Sequence, residues 1–381
     1  MWTASRFRAR LQRHAAATDA DGRRRVLRPP SGLDLSSNDY LRHATDPRVV
    51  AAMAAAVQRE GAGSTGSRLL RGDRETFHAV ESAFAAFVGA EASLYFSSGY
   101  LGNLAVLSTW PEAGDVVFSD AHNHASLIDA MRLSRAQRVI VPHNDPDALR
   151  AAIATTPCDG VAFVVVESVY SVDGDVAPLA AYAKACRDAG AVLLVDEAHA
   201  VGVYGARGTG ACEEAGLHPS AVITMNPAGK ALGVSGSFVA GPAWAIDDLM
   251  QRARPFIFST APPPAVADAL LTSLDLVRTE RWRRDTVRAL ARQMRAALVA
   301  EGIDVGTSDA HIVPVHIGDN ARAVAVATRL QAEGVDVRAV RPPTVPEGRA
   351  RLRVSVTVGL DDAAVVMAAA QIARAVRECA A

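Results

Sequence analysis

The 381 residues carry 40 basic against 41 acidic side chains, and half of all residues are hydrophobic with few aromatics, so no global field favours nucleic acid or an anionic membrane. Small-molecule partners fit this balance better. Four widely spaced cysteines (Cys158, Cys186, Cys212 and Cys379) show no metal-type pairing, and no apolar run approaches membrane-spanning length, so no metal centre, disulfide framework or anchor is expected and the cytoplasm is the expected compartment.

The opening "MWTASRFRARLQRHAAATDADGRRR" is basic and Ala-rich without a continuous apolar core, and Asp19 and Asp21 count against a transit peptide. Residues 1–40 are expected to form a helical segment packed beside the C-terminal domain. Short apolar runs then alternate with Ala-rich helical stretches: "ASLYFSS", "DVVFSD", "RVIVPH", "GVAFVVVES", "AVLLVDEA", "AVITM" and "SGSFVAG" are the strand candidates. That rhythm implies β-α-β units and a largely parallel sheet. After "FIFSTAPPPA" the chain reads as helical over 265–300. "HIVPVHIG", a helical stretch over 320–334, "VDVRAV", "RLRVSVT" and a last helix over 361–378 then suggest a smaller α+β domain. The expected boundaries are 41–285 for a large α/β domain and 286–381 for the small one.

"VLLVDEAHAVGVYGARGTG" ends an apolar run on Asp196 and His199, at the strand edge where open α/β sheets bind ligands. A strand-end Asp capping a turn beside an incidental His reads equally well from this stretch alone. "FSSGYLGN" sets Gly99 and Tyr100 where a helix N-terminus can hold a phosphate and an aromatic ring can stack. "SDAHNHASLIDA" adds His122 and His124, which also read as helix-capping or solvated histidines. "VESVYSVDGDVAPL" gives Ser171 and Asp173 in a turn closed by Gly174. The sharpest signal is "MNPAGKALGVSGSFVAG". In a chain with very few lysines it sets Lys230 among small residues, where poor solvation would lower the pKa of the amine and suit a Schiff base. A Schiff-base lysine and a carboxylate on one sheet edge point to pyridoxal phosphate.

Together "SSNDYL", "GAGSTGSRLLRG", "FSSGYLGN", "DAHNHASLIDAMRLS", "VESVYSVDGDVAPL", "VDEAHAVGVYGARGTG", "GKALGVSGSFVAG" and "FIFSTAPPPA" resemble the α-oxoamine synthases, fold-type I pyridoxal-phosphate transferases, from about residue 34 to the C-terminus. The stretch "RAVRPPTVPEGRARLRVSVT" is similar to the branch that joins alanine to a pimeloyl thioester of coenzyme A or a carrier protein, with loss of carbon dioxide, in biotin synthesis. The resemblance implies Lys230 as the cofactor-bearing lysine, Asp196 on the ring nitrogen, His199 and Ser171 on the phenolic oxygen, His124 over the ring, and Gly99 and Tyr100 at the cofactor. It further implies Arg353 on the amino-acid carboxylate, where a planar guanidinium fork suits bidentate binding, although alternation in "RLRVSVT" would make Arg351 and Arg353 alike surface arginines. Arg23, Arg341 and Thr344 match acyl-substrate positions. Thr260 matches a residue that reaches the neighbouring subunit's phosphate, implying a homodimer.

The sequence departs from that pattern at Pro227, three residues before the lysine, where the family has a Thr or Ser whose hydroxyl binds the phosphate. Looser cofactor is the expectation. The region between "GRRR" and "LDLSSNDY" is also short, where relatives carry a small hairpin. Other branches with the same chemistry, such as 2-amino-3-ketobutyrate ligases, 5-aminolevulinate synthases or secondary-metabolite aminoketone synthases, differ only in their substrate pockets, and an aminotransferase would use the same lysine and aspartate.

Overall fold

A computed structural model describes residues 4–379. Twelve strands occur among the described residues: β1 (Leu33–Asp34), β2 (Ala92–Phe96), β3 (Val116–Asp120), β4 (Gln137–Val141), β5 (Ala162–Glu167), β6 (Val192–Asp196), β7 (Ile223–Pro227), β8 (Ser237–Gly241), β9 (Ile312–Gly318), β10 (Val335–Asp336), β11 (Arg338–Val340) and β12 (Ala350–Ser355). They fall in two units. The larger comprises Asn38–Ser171 and Asp175–Val287; the smaller runs up to Ser37, takes in Val172–Gly174 and resumes at Arg288.

In the larger unit seven strands form one sheet in the order β2-β8-β7-β6-β5-β3-β4. Only β8 runs against its neighbours; the other pairings are parallel. The runs "AFVVVE" and "VLLVD" are buried along almost their whole length, as strands covered on both faces must be. Leu94, Val106, Val165, Leu194, Met225 and Val239 share one core cluster, each such side chain contributing about 1.5–3 kcal/mol relative to exposure. Helices Gly99–Thr109, Ala125–Leu133 and Pro146–Thr155 follow β2, β3 and β4. Each is started by a side-chain cap: Ser98 Oγ accepts from the Leu101 N–H, His124 Nδ1 from the Ser126 N–H, and Asp145 Oδ1 from the Asp147 and Ala148 N–H groups. Because these strands are parallel, their capped helix starts gather at one sheet edge, the carboxyl ends, which is where a ligand finds free amides.

The smaller unit has an antiparallel sheet in the order β11-β12-β9 and a parallel pair β1-β10. Its core joins Leu290, Met294 and Leu298 with Val313, Val315, Leu352, Val354 and Ile372. The helix Ser5–Ala20 buries no residue, and the chain after it meets this unit where Asn320 Nδ2 donates to the Asp21 carbonyl at 3.4 Å.

Three readings of the sequence are corrected. The helical stretch 265–300 is two helices, Ala265–Thr279 and Arg281–Ala300, interrupted at Glu280, which leaves helical dihedrals (φ −111°, ψ 56°) while its carboxylate accepts from Arg48 and Arg283, each at 2.6 Å. "VDVRAV" is two short strands, because Val335–Asp336 pairs with β1 and Arg338–Val340 with β12, in separate sheets. Arg351 is not a surface arginine: it is 6% exposed, forms an ion pair with Asp173, and its Nε donates to the Arg349 carbonyl at 3.0 Å. Strand alternation fails there because a specific acid awaits the inward-facing charge.

Candidate active site

Lys230 sits in the loop between β7 and β8, half-buried, with its Nζ 2.8 Å from His199 Nε2. The loop closes on itself: the Ala228 N–H donates to the Gly236 carbonyl at 2.8 Å and the Gly233 N–H to the Lys230 carbonyl at 2.8 Å. Gly236 adopts φ +93°, and a Cβ there would lie 2.1 Å from the Tyr95 hydroxyl oxygen, so the position admits only glycine. Lysine is scarce here for good reason to notice: the only other one, Lys184, is exposed and paired with Asp188.

Lys230 opens on a cavity of 370 Å³ at the carboxyl ends of the strands, lined also by Gly99, Tyr100, His124, Glu167, Asp196 and Pro227. Asp196, 3% exposed, is held from two sides: Asn103 Nδ2 donates to Oδ2 at 2.8 Å and the Ala198 N–H to Oδ1 at 2.9 Å. Its sequence neighbour Glu197 has a different fate, as alternation on a strand demands. Glu197 accepts from Ser168 Oγ at 2.7 Å and from the Ala211 and Cys212 N–H groups at 3.0 and 2.7 Å, so its charge is spent on holding the following loop. The parallel register sets Glu167 directly beside Asp196. Burial, and then the Asp196 carboxylate, push the Glu167 carboxyl well above the usual range. That carboxyl also takes the backbone N–H groups of His124 and Ser171, tying together the loops that follow β3 and β5.

His124 caps its helix, as one reading of the sequence had it, and it also lines the cavity. Its Nδ1 faces Ser126 Oγ at 2.8 Å and the Ser126 N–H at 3.2 Å, and burial lowers its pKa. His122 instead stacks on His143, ring centroids 4.0 Å apart, and does not line the cavity. Tyr100 is exposed, its hydroxyl donating to Asp129 Oδ2 at 2.6 Å. Gly99 lies hard against Pro227: a Cβ on Gly99 would meet the proline Cγ at 2.6 Å. Thr260 is exposed and lines a separate shallow depression with Arg68 and Phe256.

The remaining expected residues belong to the smaller unit. Arg353, half-buried on β12, donates from Nη1 to Ser355 Oγ at 2.7 Å. Arg341 donates from Nη1 to the Gly22 carbonyl at 2.5 Å, Arg23 pairs with Asp21 and lies 3.8 Å from Glu347, and the Thr344 N–H donates to the Arg341 carbonyl at 3.1 Å. Sequence reasoning missed Asn103, Glu167 and Tyr40. Two signals were available: Asn103 stands four residues after Gly99 on the same helix face, and "VVVE" ends on an acid just as "LLVD" does.

Pyridoxal phosphate requires an amine for its aldehyde, a carboxylate for its ring nitrogen and amide donors for its phosphate. Lys230, Asp196 and the helix start at Gly99 supply these around one cavity. Two buried oxygens at the same place, Asn103 Oδ1 and Glu167 Oε1, have no hydrogen-bond partner in the protein, the mark of a site shaped for a polar guest. The residues present fit the cofactor.

The aminotransferase class I and II family model matches residues 30–372. An 8-amino-7-oxononanoate synthase of Anaeromyxobacter dehalogenans (strain 2CP-1) is 44% identical over 362 residues, covering 92% of this chain and 91% of that one. Among solved structures, a serine palmitoyltransferase variant from S. paucimobilis with a bound pyridoxal phosphate–myriocin aldimine superposes with a TM-score of 0.91 at 29% identity, covering 100% of this chain and 99% of that one. An 8-amino-7-oxononanoate synthase from Francisella tularensis gives 0.79 at 27% identity, covering 91% and 98%. The chain therefore belongs to the class I and II aminotransferase family of fold-type I pyridoxal-phosphate enzymes and, within it, to the α-oxoamine synthases.

Proposed function

We propose that this enzyme joins L-alanine to a pimeloyl thioester, of coenzyme A or a carrier protein, giving 8-amino-7-oxononanoate for biotin synthesis. The observation that carries this reading is the 44% identity, over nine-tenths of both chains, to a relative bearing that name. In the overall change the alanine α-carbon bonds to the thioester carbonyl carbon, the thiol leaves, and the alanine carboxylate departs as carbon dioxide.

When bound, pyridoxal phosphate supplies an electron sink for the substrate's α-carbon. Lys230 Nζ would hold the cofactor covalently and, once displaced by the amino acid, accept the α-proton. Asp196, oriented by Asn103, would keep the proton on the ring nitrogen; the low dielectric of a buried carboxylate makes this charge effective. His199 and Ser171 would face the phenolic oxygen. His124 would cover the ring and donate to the product's carbonyl oxygen during decarboxylation, with Nε2 as its free nitrogen, since Nδ1 is occupied by Ser126. Gly99 and Tyr100 would receive the phosphate. From the resemblance, Arg353 takes the amino-acid carboxylate, and Arg23, Arg341 and Thr344 the acyl part. Thr260 serves the neighbouring subunit in a cytoplasmic homodimer, a reading supported by its exposure away from the Lys230 cavity.

A second reading has its own support: the serine palmitoyltransferase superposes more fully than the F. tularensis synthase, 0.91 against 0.79, which favours another branch of the family. A matrix of amino acids against acyl thioesters, read by mass spectrometry, separates the two. Alanine with a pimeloyl thioester should give the dominant product. Turnover of serine or glycine with alanine ignored moves the enzyme to another branch.

A further inference from the structure

Behind Lys230 and His199 runs a hydrogen-bonded chain whose further members, Tyr40 and Asn38, the mechanism above does not use. Lys230 Nζ is 2.8 Å from His199 Nε2, His199 Nδ1 is 2.6 Å from the Tyr40 hydroxyl oxygen, and that hydroxyl donates to Asn38 Oδ1 at 3.0 Å. Tyr40 is fully buried, and its ring is tilted 53° to the His199 ring at a centroid distance of 6.0 Å. The His199 side chain is thus fixed at both nitrogens.

The two ends of this chain determine where the histidine proton sits. In its protonated form the Lys230 amine has only donors, so His199 Nε2 facing it accepts. Neutral imidazole has one donor and one acceptor, so Nδ1 carries the proton and gives it to the Tyr40 oxygen, which leaves the phenol hydrogen for Asn38. From both directions the assignment agrees. Under the proposed function, however, Lys230 would hold the cofactor and His199 would face its phenolic oxygen, and an oxygen anion there would need a donor. The tautomer suited to the free lysine is the wrong one for the loaded site.

We propose that Tyr40 is a positioning residue whose hydroxyl lets His199 reverse its tautomer between the free-lysine and cofactor-loaded states. A phenol can serve either setting, because the same oxygen accepts from Nδ1–H or, with its hydrogen turned from Asn38, donates to Nδ1. The ring keeps one proton throughout, and only the nitrogen that carries it changes. Phenylalanine supports neither setting. The inference rests on the reading of His199 as the phenolic-oxygen partner.

The test is nitrogen-15 NMR of histidine-labelled enzyme, as the holoenzyme and after removal of the cofactor, with His199 assigned by His199→Asn. The proton is expected on Nδ1 without cofactor and on Nε2 in the holoenzyme. One tautomer in both states overturns the proposal. In Tyr40→Phe the His199 signals should report a mixture, and cofactor should bind about tenfold more weakly at an unchanged melting temperature. Unaltered affinity with a single tautomer also overturns it. The wild-type comparison stands even if Tyr40→Phe folds poorly. Failure of the Lys230 reading itself appears separately, as a holoenzyme without the absorption of a lysine-bound cofactor.

Discussion

Two carboxylate–histidine clusters stand at the same sheet edge and meet opposite fates. At the ends of β5, β6 and β7, Glu167, Asp196 and Lys230 line a cavity together with His124 from the loop after β3, His199 stands 2.8 Å from the Lys230 amine, and Glu167 Oε1 and Asn103 Oδ1 are left without partners. At the ends of β3 and β4, His143 is bracketed by Asp120, 2.9 Å from Nδ1, and Asp175, 3.2 Å from Nε2, with its ring packed between His122 and Tyr170. Burial lowers the pKa of both histidines, and the acids beside one of them pull the two apart. His124, without a bracketing pair of acids, is lowered; for His143, burial would also lower the pKa, but the hydrogen bonds its ring donates to Asp120 and then Asp175 override it and raise it to about 9. Similar residue types therefore make an open site in one place and a closed clamp in the other, and what distinguishes them is that two acids bracket the histidine in the clamp while a cavity opens beside the carboxylates of the site.

The largest effect should come from emptying the open cluster. Lys230→Ala should abolish both turnover and the absorption of lysine-bound cofactor with the circular dichroism of the fold unchanged, because no other amine reaches the cavity's position. With only Lys184 besides, borohydride reduction and peptide mapping give an unambiguous answer; label on Lys184 refutes the assignment.

Asp196→Asn should keep the cofactor but cost at least about a hundredfold in kcat, about 2.7 kcal/mol, since an amide cannot hold the ring nitrogen protonated. Asn103→Ala, which frees the carboxylate without neutralising it, should fall between wild type and Asp196→Asn. Near-wild-type turnover in Asp196→Asn would return this residue to the role of a turn cap.

The closed cluster predicts loss of stability rather than chemistry. The folded pKa of His143 is raised above the unfolded value of about 6.5, so its stabilisation is fully present below pH 6.5 and is lost as the pH rises through about 9. Discounted for partial exposure, the clamp contributes about 2–3 kcal/mol. Chemical unfolding of wild type should weaken between pH 7 and 9.5 by that amount relative to His143→Asn, whose own profile over this window should be flatter. Parallel profiles would show that the bracketed charge contributes nothing.

The difference between the clusters also marks how far sequence reading reached. The strands of the large sheet stood out as short, largely apolar runs between Ala-rich helical stretches, Asp196 stood out at the close of one such run, and Lys230 stood out as a scarce lysine among small residues. What periodicity cannot supply is pairing between distant positions. The ion pair that buries Arg351 links residues far apart in the chain, and the same is true of Asp120 with His143 and Asp175, of Glu167 with its tied loops, and of Tyr40 with His199. Each pairing decides whether a polar side chain is exposed, satisfied or reactive, and each depends on the register of the folded sheet.

The smallest expected effect concerns Pro227, where the resemblance implies a phosphate-binding hydroxyl that this chain lacks. Proline has neither a side-chain hydroxyl nor a backbone N–H to offer. The ring is buried at the end of β7, opposite Ser237 and against Gly99, so it closes the floor beneath the helix start that would receive the phosphate. Neighbouring polar groups do not replace it: Asn226 Nδ2 donates to Thr224 Oγ1 at 2.8 Å, and neither residue lines the cavity. Ser97, Ser98 and Ser235 do line it. A hydrogen bond to a charged group contributes about 1.5–3 kcal/mol, one to two decades of affinity, and hydroxyls already present at the cavity favour the lower end. Pro227→Thr should therefore bind pyridoxal phosphate about tenfold more tightly in an equilibrium titration of the cofactor-free enzyme. Threonine also fills the space beside Gly99 less rigidly, so the gain should appear in affinity without a rise in melting temperature. Equal or weaker binding would mean that the serines already satisfy the phosphate and that the proline costs the site nothing.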